Sequence, residues 1–350
     1  MIILVFVGTN TKRNLKITAY IEAWFAAEAR NLPWRNSSTP WGRLVSEFMS
    51  QQTQIERVAQ RWPKMMAEFP TPKSMALCDE QDVLALWQGL GYYRRAKHLK
   101  QTAEMIESHF GGQVPSDVTS LLKLPGVGKY TAGAIASIAF NQNEPIVDGN
   151  VHRVICRLEN KCGAPAPNSW SWELASLLVM ASKTPGVFNE GLMELGATIC
   201  TPRNPKCDRC PLQKECTAFS KNTQSVVPPP RISAKRKELY HYAIVLTCKG
   251  KIAFEQRGDQ GLWAGMWQVP MIESTTKLKK AQITNALCIA DDINFLGTFE
   301  HKLTHRDISF SVYSCEVRED GTYTWHQGDA LDSIPLASAQ RKVLALHCSS

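Results

Sequence analysis

The sequence has no long hydrophobic run. Its opening stretch, Met1 to Val7, is apolar for only seven residues, against the roughly 20 that a membrane span needs, so no membrane association is expected. It also lacks the basic start and the small-residue cleavage site of a secretory signal. A short strand, or a start codon placed too early, is the expected reading of these residues. No internal repeat or low-complexity tract stands out. With 44% hydrophobic and 21% charged residues the balance is ordinary, which excludes wholesale disorder. Eleven cysteines are present, too scattered for a small disulfide scaffold. Four of them crowd between positions 200 and 216, which points to a reducing compartment and a metal site rather than to secretion.

The 350 residues allow two or three domains, and the net charge of +8 fits a polyanionic partner without requiring one. From Ile17 to about Phe219 the apolar period is helical: Ile17, Tyr20, Ile21, Trp24 and Phe25 repeat at three and four. Similar stripes run over Leu84 to Leu90, Ala132 to Phe140 and Leu174 to Met180, separated by Pro- and Gly-rich loops. This part reads as mainly α. Ser220 to Lys237 carries Pro228, Pro229 and Pro230 and then Arg231, Lys235, Arg236 and Lys237, the composition of a semi-rigid linker. Beyond it, Tyr240 to Cys248, Lys251 to Gln256, Asp307 to Val317 and Thr322 to Trp325 read as strands. Helices near Lys277 to Ala290 and Leu336 to His347 interleave with them, giving an α+β domain.

Cys200, Cys207, Cys210 and Cys216 are separated by six, two and five residues. Thiolates suit iron–sulfur clusters or zinc, and zinc more usually takes two C-x-x-C pairs at wider separation. A 4Fe–4S cluster is therefore the expected cofactor. Arg203, Lys206, Arg209 and Lys214 share the loop and would face phosphate. Upstream, Leu124-Pro125-Gly126-Val127-Gly128-Lys129-Tyr130 joins two helical patterns. Its glycines allow a tight turn, and the N–H groups opening the next helix suit one phosphate, with Lys129 adding a charge. A Gly-x-Gly turn also joins many helices for purely structural reasons. Asp148, in Val147-Asp148-Gly149-Asn150, heads an apolar helical pattern and on its own would be read as an N-cap.

Taken together, the hairpin, Asp148 and the cysteine spacing resemble the helix-hairpin-helix DNA glycosylases of the endonuclease III superfamily. Within it, Val45-Ser46-Glu47-Phe48-Met49-Ser50-Gln51-Gln52-Thr53-Gln54, preceded by Leu32-Pro33-Trp34-Arg35, resembles the adenine DNA glycosylases of the MutY type. The resemblance implies that Glu47 protonates the departing adenine and that Gln52 inserts into the base stack. Tyr92, in Gly89-Leu90-Gly91-Tyr92-Tyr93, matches the wedge beside the lesion base. Asn150 and Tyr130 match groups near the scissile sugar, and Arg35 and Glu190 match adenine-pocket residues, with Trp34 in the same motif. Ser50 stands where the family usually has leucine.

A base buried in duplex DNA must be flipped out before chemistry can reach it. Adenine leaves poorly as an anion, so a carboxylic acid with a raised pKa is needed to protonate it. Val45, Phe48 and Met49 flank Glu47 and are candidates for the apolar setting. Cleavage develops oxocarbenium character that an ionised carboxylate stabilises, a role for Asp148. Bifunctional relatives attack the sugar with a lysine where this chain has Tyr130. Lys129 is turned about 100° away on a helix, so a monofunctional enzyme without lyase activity is expected.

In the C-terminal part, Gly261-Leu262-Trp263-Ala264-Gly265-Met266-Trp267-Gln268-Val269-Pro270 resembles the start of a Nudix-type fold. Ile272 to Ala286 offers Glu273 and several lysines rather than a magnesium-binding glutamate cluster, which argues against hydrolase activity there. In Glu300-His301-Lys302-Leu303-Thr304-His305, Thr304 and His305 match the family's 8-oxoguanine-reading loop, with Leu303 replacing its aromatic residue. Both also suit a simple turn before the strand at Asp307.

The expected organisation is thus a helical glycosylase region over 1–219, with a six-helix barrel and hairpin at about 40–147. Terminal helices and the 4Fe–4S loop 200–216 complete its second lobe. A linker over 220–238 and a Nudix-like lesion-recognition domain over 239–350 follow. The expected activity is removal of adenine mispaired with 8-oxoguanine or guanine, by a monomer acting on double-stranded DNA in a bacterial-type cytoplasm. The alternatives are an endonuclease III-like glycosylase/lyase for oxidised pyrimidines and a non-catalytic mismatch-binding protein.

Overall fold

Helix boundaries in the first part follow local chemistry. Thr39 accepts a hydrogen bond from the Gly42 N–H at the head of a helix that Pro40 opens, and Asp117 and Asp148 cap two others in the same way. The computed structural model describes residues 7–36, 39–163, 165–230, 236–287, 292–318, 322–327, 331 and 334–349. The strand considered for the opening residues falls on Met1 to Phe6, outside the described residues, and Val7 already belongs to the first helix. Arg231 and Lys235 of the linker also lie outside them.

The helices are α1 (Val7–Glu28), α2 (Pro33–Asn36), α3 (Pro40–Ser50), α4 (Ile55–Glu68), α5 (Pro72–Leu77), α6 (Glu80–Leu86), α7 (Arg94–Phe110), α8 (Val118–Leu121), α9 (Lys129–Phe140), α10 (Gly149–Leu158), α11 (Ser169–Met180), α12 (Pro185–Thr198) and α13 (Thr217–Ser220). Helices α1, α9, α10 and α11 pack about α12, and Ile17, Ile21, Val151, Ile155, Phe188 and Leu195 meet in the core between them. Tyr20, included in the apolar stripe of α1, is 42% exposed and lies off that face.

Strands β1 (Lys237–Cys248), β2 (Lys251–Gln256), β3 (Trp267–Gln268), β4 (Met271–Ser274), β5 (Asn294–Lys302), β6 (Arg306–Glu316) and β7 (Thr324–Gln327) build one mixed sheet. Its order is β3-β2-β1-β6-β5, with β4 on β1 and β7 on β2, and β1 and β6 run parallel. Helices α14 (Lys280–Ala286) and α15 (Ser338–Cys348) accompany it. The α+β class is as expected, although β3, β4 and β5 were not legible as strands.

The chain forms two compact units, Met1–Leu77 with Gln101–Ile232, and Cys78–Lys100 with Ser233–Ser350. The segment Cys78–Lys100 therefore groups with the sheet, although it falls inside the stretch 1–219 expected to be helical glycosylase. Its bonds explain why. Gln88 donates to the Ile334 carbonyl at 3.2 Å and accepts from Arg341 at 2.6 Å. Trp267 donates to Gln81 at 3.1 Å, and Lys97 pairs with Glu80 and Asp259 at 3.0 and 2.8 Å.

Candidate active site

In the first unit, four elements bring carboxylates and a phenol together. Glu47 comes from α3, Tyr130 from α9, Asp148 from the N-cap of α10 and Glu190 from α12. Glu47 keeps partial access to solvent, yet its carboxyl is raised to about 7, first by burial and then by the negative charge of Glu190, with Arg43 pulling the other way. Val45, Phe48 and Met49 are fully buried. They belong to the core against which the helix packs, and Val45 and Met49 project from the face opposite Glu47.

Asp148 is both a cap and a site residue. One carboxyl oxygen accepts from the Val151 N–H at 2.7 Å and the other from the Asn150 amide at 3.1 Å. Burial raises its pKa, against those hydrogen bonds and Arg153. Burial and the neighbouring Glu47 and Asp148 hold the Tyr130 phenol protonated, and its hydroxyl donates to the Met193 sulfur at 2.8 Å.

Arg35 does not project freely. It donates to Glu190 at 3.2 Å, to Glu194 at 3.0 Å and to the Arg30 carbonyl at 2.9 Å, with its guanidinium over the Phe25 ring. Arg43 donates to the same Glu190 oxygen at 2.8 Å. Trp34 is buried against Trp62, ring centroids 6.2 Å apart. Sequence reasoning passed over Arg43, Arg153, Arg157 and Met193. The one local signal was Arg43 standing a helical turn before Glu47.

A chain of bonds links this pocket to the cysteine loop. Arg153 donates to Asn150 at 2.9 Å, to the Gly196 carbonyl at 2.7 Å and to the Cys200 carbonyl at 2.8 Å. A Cβ on Gly196 would lie 2.8 Å from that of Asn150, so only glycine admits this approach of α12 to α10. Arg157 donates to the Thr201 carbonyl at 2.7 Å and to the Cys200 sulfur at 3.4 Å.

Cys200, Cys207, Cys210 and Cys216 line one cavity with Arg157 and Gln213. Burial pushes the Cys210 thiol up to about 12, and the other three sulfurs push the same way. Four thiolates lining one cavity are a soft, anionic donor set of the kind that holds iron–sulfur clusters or zinc. All four sulfur-bearing side chains thus share one cavity, within a loop of seventeen residues. The donor set fits a 4Fe–4S cluster, and its fourfold thiolate ligation leaves no open iron site.

In the hairpin between α8 and α9, Gly126 has φ +76 and Gly128 is an exposed N-cap with open space before it. Val127 is buried, and Thr102 anchors the turn through the Pro125 carbonyl at 2.8 Å. Lys129 is exposed, its ammonium 4.1 Å from the centre of the Trp172 ring. Gln52, also exposed, has φ +54, a conformation uncommon outside glycine.

The second unit carries the rest. Tyr92 has φ +48 and is 44% exposed, and its hydroxyl shares a hydrogen bond with that of Thr304. Thr304 and His305 are exposed at the β5–β6 turn. Glu273 is ion-paired to Arg257 at 2.7 Å.

A capped aspartate beside a buried acid, a glycine hairpin and a four-thiol loop define a helix-hairpin-helix base-excision repair protein. Residues 45–175 match the HhH-GPD superfamily of base excision DNA repair proteins, 200–216 the iron-sulfur binding domain of endonuclease III, and 241–346 the NUDIX domain. The helical fold is shared with a thermostable thymine-DNA glycosylase, at TM-score 0.55 and 30% identity over 61% of this chain and 99% of that one. An endonuclease III–DNA complex has the same fold, at TM-score 0.51 and 22% identity over 61% and 98% of the two chains.

The chain belongs to the adenine DNA glycosylases, enzymes that hydrolyse N-glycosyl bonds. It is 34% identical to the adenine DNA glycosylase of Rattus norvegicus over 83% of this chain and 69% of that one. To that of Buchnera aphidicola it is 31% identical over 92% and 96%. It spans 64% of the length of the Arabidopsis thaliana relative, at 33% identity over 94% of this chain. Among the described residues no helix is long and apolar enough to cross a membrane.

Proposed function

We propose that this protein excises adenine lying opposite 8-oxoguanine or guanine in duplex DNA, by acid-assisted hydrolysis of the N-glycosidic bond and without a lyase step. The observation that carries this reading is the convergence of Glu47, Asp148 and Glu190 from three elements, where burial and then Glu190 raise the Glu47 carboxyl to about 7. A carboxylic acid still protonated near neutrality can hand its proton to adenine as the bond to the sugar breaks. Asp148, its two oxygens held by Val151 and Asn150, then faces the sugar cation, and water completes the hydrolysis. Tyr130 occupies the position of a lyase lysine and stays a neutral phenol.

The exposed hairpin, Gly126 to Lys129, takes a backbone phosphate. Gln52 and Tyr92, both tips at positive φ, fill the stack when the base leaves it. Arg35 and Glu190 line the adenine pocket with Trp34, while Thr304 and His305 read the base opposite. The four cysteines hold the cluster, which when bound closes the basic loop through covalent iron–sulfur bonds. The enzyme acts as a monomer in the cytoplasm.

The test is a set of duplexes carrying adenine opposite 8-oxoguanine, adenine opposite guanine, or thymine glycol, assayed for strand breaks with and without alkali. Cleavage at adenine, and only after alkali, is expected. Cleavage at thymine glycol without alkali overturns the reading. Glu47→Gln is expected to slow adenine release by about 10³-fold while DNA binding is kept; an active variant removes Glu47 as the acid.

A further inference from the structure

Arg43 lies on the same helix as Glu47, four residues earlier, and therefore on the same face. It is half-buried, with its side chain 13% exposed, and it donates at 2.8 Å to Glu190, itself 11% exposed. Burying two such charges is costly unless each is matched. Nothing in the reaction assigned to Glu47, Asp148 and the adenine pocket uses this arginine. We propose that Arg43 is a positioning residue for the reaction: clamped on Glu190, it supplies the positive charge that offsets this second carboxylate beside the Glu47 acid.

The groups that bear on Glu47 come from every element around it. Glu190 on α12 disfavours its ionised form, as does Asp148 at the head of α10, whereas Arg43 on α3 and the Tyr130 hydroxyl on α9 favour it. Arg35 on α2 acts at one remove. It holds the same Glu190 oxygen at 3.2 Å and Glu194 at 3.0 Å, and Glu194 is in turn gripped by Arg30. Glu190 thus keeps one guanidinium when Arg43 is lost, so a substitution at 43 changes the charge without releasing the carboxylate.

The two partners consequently act in opposite directions. An acid that must be protonated to work loses activity as pH rises through its pKa. Removing Arg43 withdraws a charge that favours the carboxylate, so activity persists to higher pH. Removing the Glu190 charge does the reverse. Removing both returns Glu47 close to its starting balance, a coupling that independent structural damage does not produce.

This inference rests on Glu47 being the acid, and two readouts separate the two ideas. The first is the single-turnover rate of adenine release from pH 5 to 9. Arg43→Gln is expected to move the alkaline limb up by about one pH unit and Glu190→Gln to move it down by about one, with the double variant between them and Arg43→Lys near wild type. The second needs no activity: thermal unfolding of each protein against its Glu47→Gln counterpart, across the same pH range. The pH range over which the stability difference within each pair changes reports the Glu47 proton, and it should move in the same two directions. If wild type releases no adenine but these unfolding midpoints still shift oppositely, the proposed activity fails and the pair stands. If both single variants shift the same way, or neither shifts, the pairing is overturned.

Discussion

In the first unit, ionisable groups are buried and held by one another across four elements. Glu190 is gripped by two arginines, Asp148 by a helix N-terminus and an amide, and Glu47 keeps its proton first through burial and then because Glu190 lies near. In the second unit, the residues assigned to reading the opposite base are exposed, and Thr304 sits on a hairpin tip where it meets Tyr92. A fully buried imidazole there, His241, has no hydrogen bond to either ring nitrogen among the described residues. It packs edge-on against Phe310 and Trp263, ring centroids 5.0 and 6.0 Å away. The difference is one of task. A proton donor must have its affinity altered by burial, whereas a reader must stay accessible.

The contrast is sharpest in how pH affects stability. Glu47 is raised from 4.5 to about 7, so the fold binds its proton more tightly than the unfolded chain does, and stability falls as pH rises from 4.5 through 7. Burial lowers His241 from 6.5 to about 4, so the unfolded chain binds that proton more tightly and stability falls as pH drops from 6.5 toward 4. Glu47→Gln should therefore stabilise the protein by about 3 kcal/mol at pH 8 and hardly at all at pH 4. His241→Leu should relieve a penalty of about 2 kcal/mol at pH 5, visible as a smaller loss of stability between pH 7 and pH 5. Differential scanning calorimetry across that range checks both. Two transitions moving in the same direction with pH would abolish the comparison.

Those two groups also mark the limits of sequence reading. Glu47 was legible because its motif is contiguous, and the cysteine loop because seventeen residues contain all four thiols. Asp148 was legible as a helix cap, since a cap is local. The arginines that hold the pocket were not, because their partners are remote: Arg43 and Glu190 are 147 residues apart and Arg153 and Cys200 are 47 apart. His241 sits in an apolar strand, where alternation gives no sign that both ring nitrogens lack a partner. Likewise β5 carries Glu300, His301 and Lys302 near its end, and their polarity read as loop. Cys78–Lys100 read as one more helical stretch, because hydrophobic period reports that a face is buried but not against what.

The tip proposed to read the opposite base can be examined through the side-chain hydrogen bond between Thr304 and Tyr92. Thr304→Val keeps the shape and removes the hydroxyl, and Tyr92→Phe removes the other partner. Each is expected to cost about 1 kcal/mol, roughly fivefold, in the preference for adenine opposite 8-oxoguanine over adenine opposite guanine. Because both break the same bond, the double variant should lose little more than either single one. The measurement is the ratio of single-turnover rates on the two duplexes, with the alkaline limb of each profile unchanged. A shifted limb would mean that the tip alters the acid, and the division of labour between the units would fail.

The smallest effect concerns Lys129, where the two descriptions of a lysine, nucleophile or surface charge, separate most cleanly. Its ammonium lies over the Trp172 ring, and a cation on an aromatic face at a partly exposed site is worth about 0.5–1 kcal/mol. Lys129→Met should lower stability by that amount and weaken DNA binding in a salt-dependent way, since a phosphate-facing charge is lost. The rate of adenine release at saturating enzyme should hold, and strand cleavage should need alkali as before. A lysine that attacks the sugar must instead leave the ring and form an imine with it. Borohydride trapping distinguishes the two: no covalent protein–DNA adduct is expected with either protein. An adduct formed by wild type and lost in Lys129→Met would make this residue a nucleophile, and would place covalent chemistry in a pocket otherwise built to move one proton.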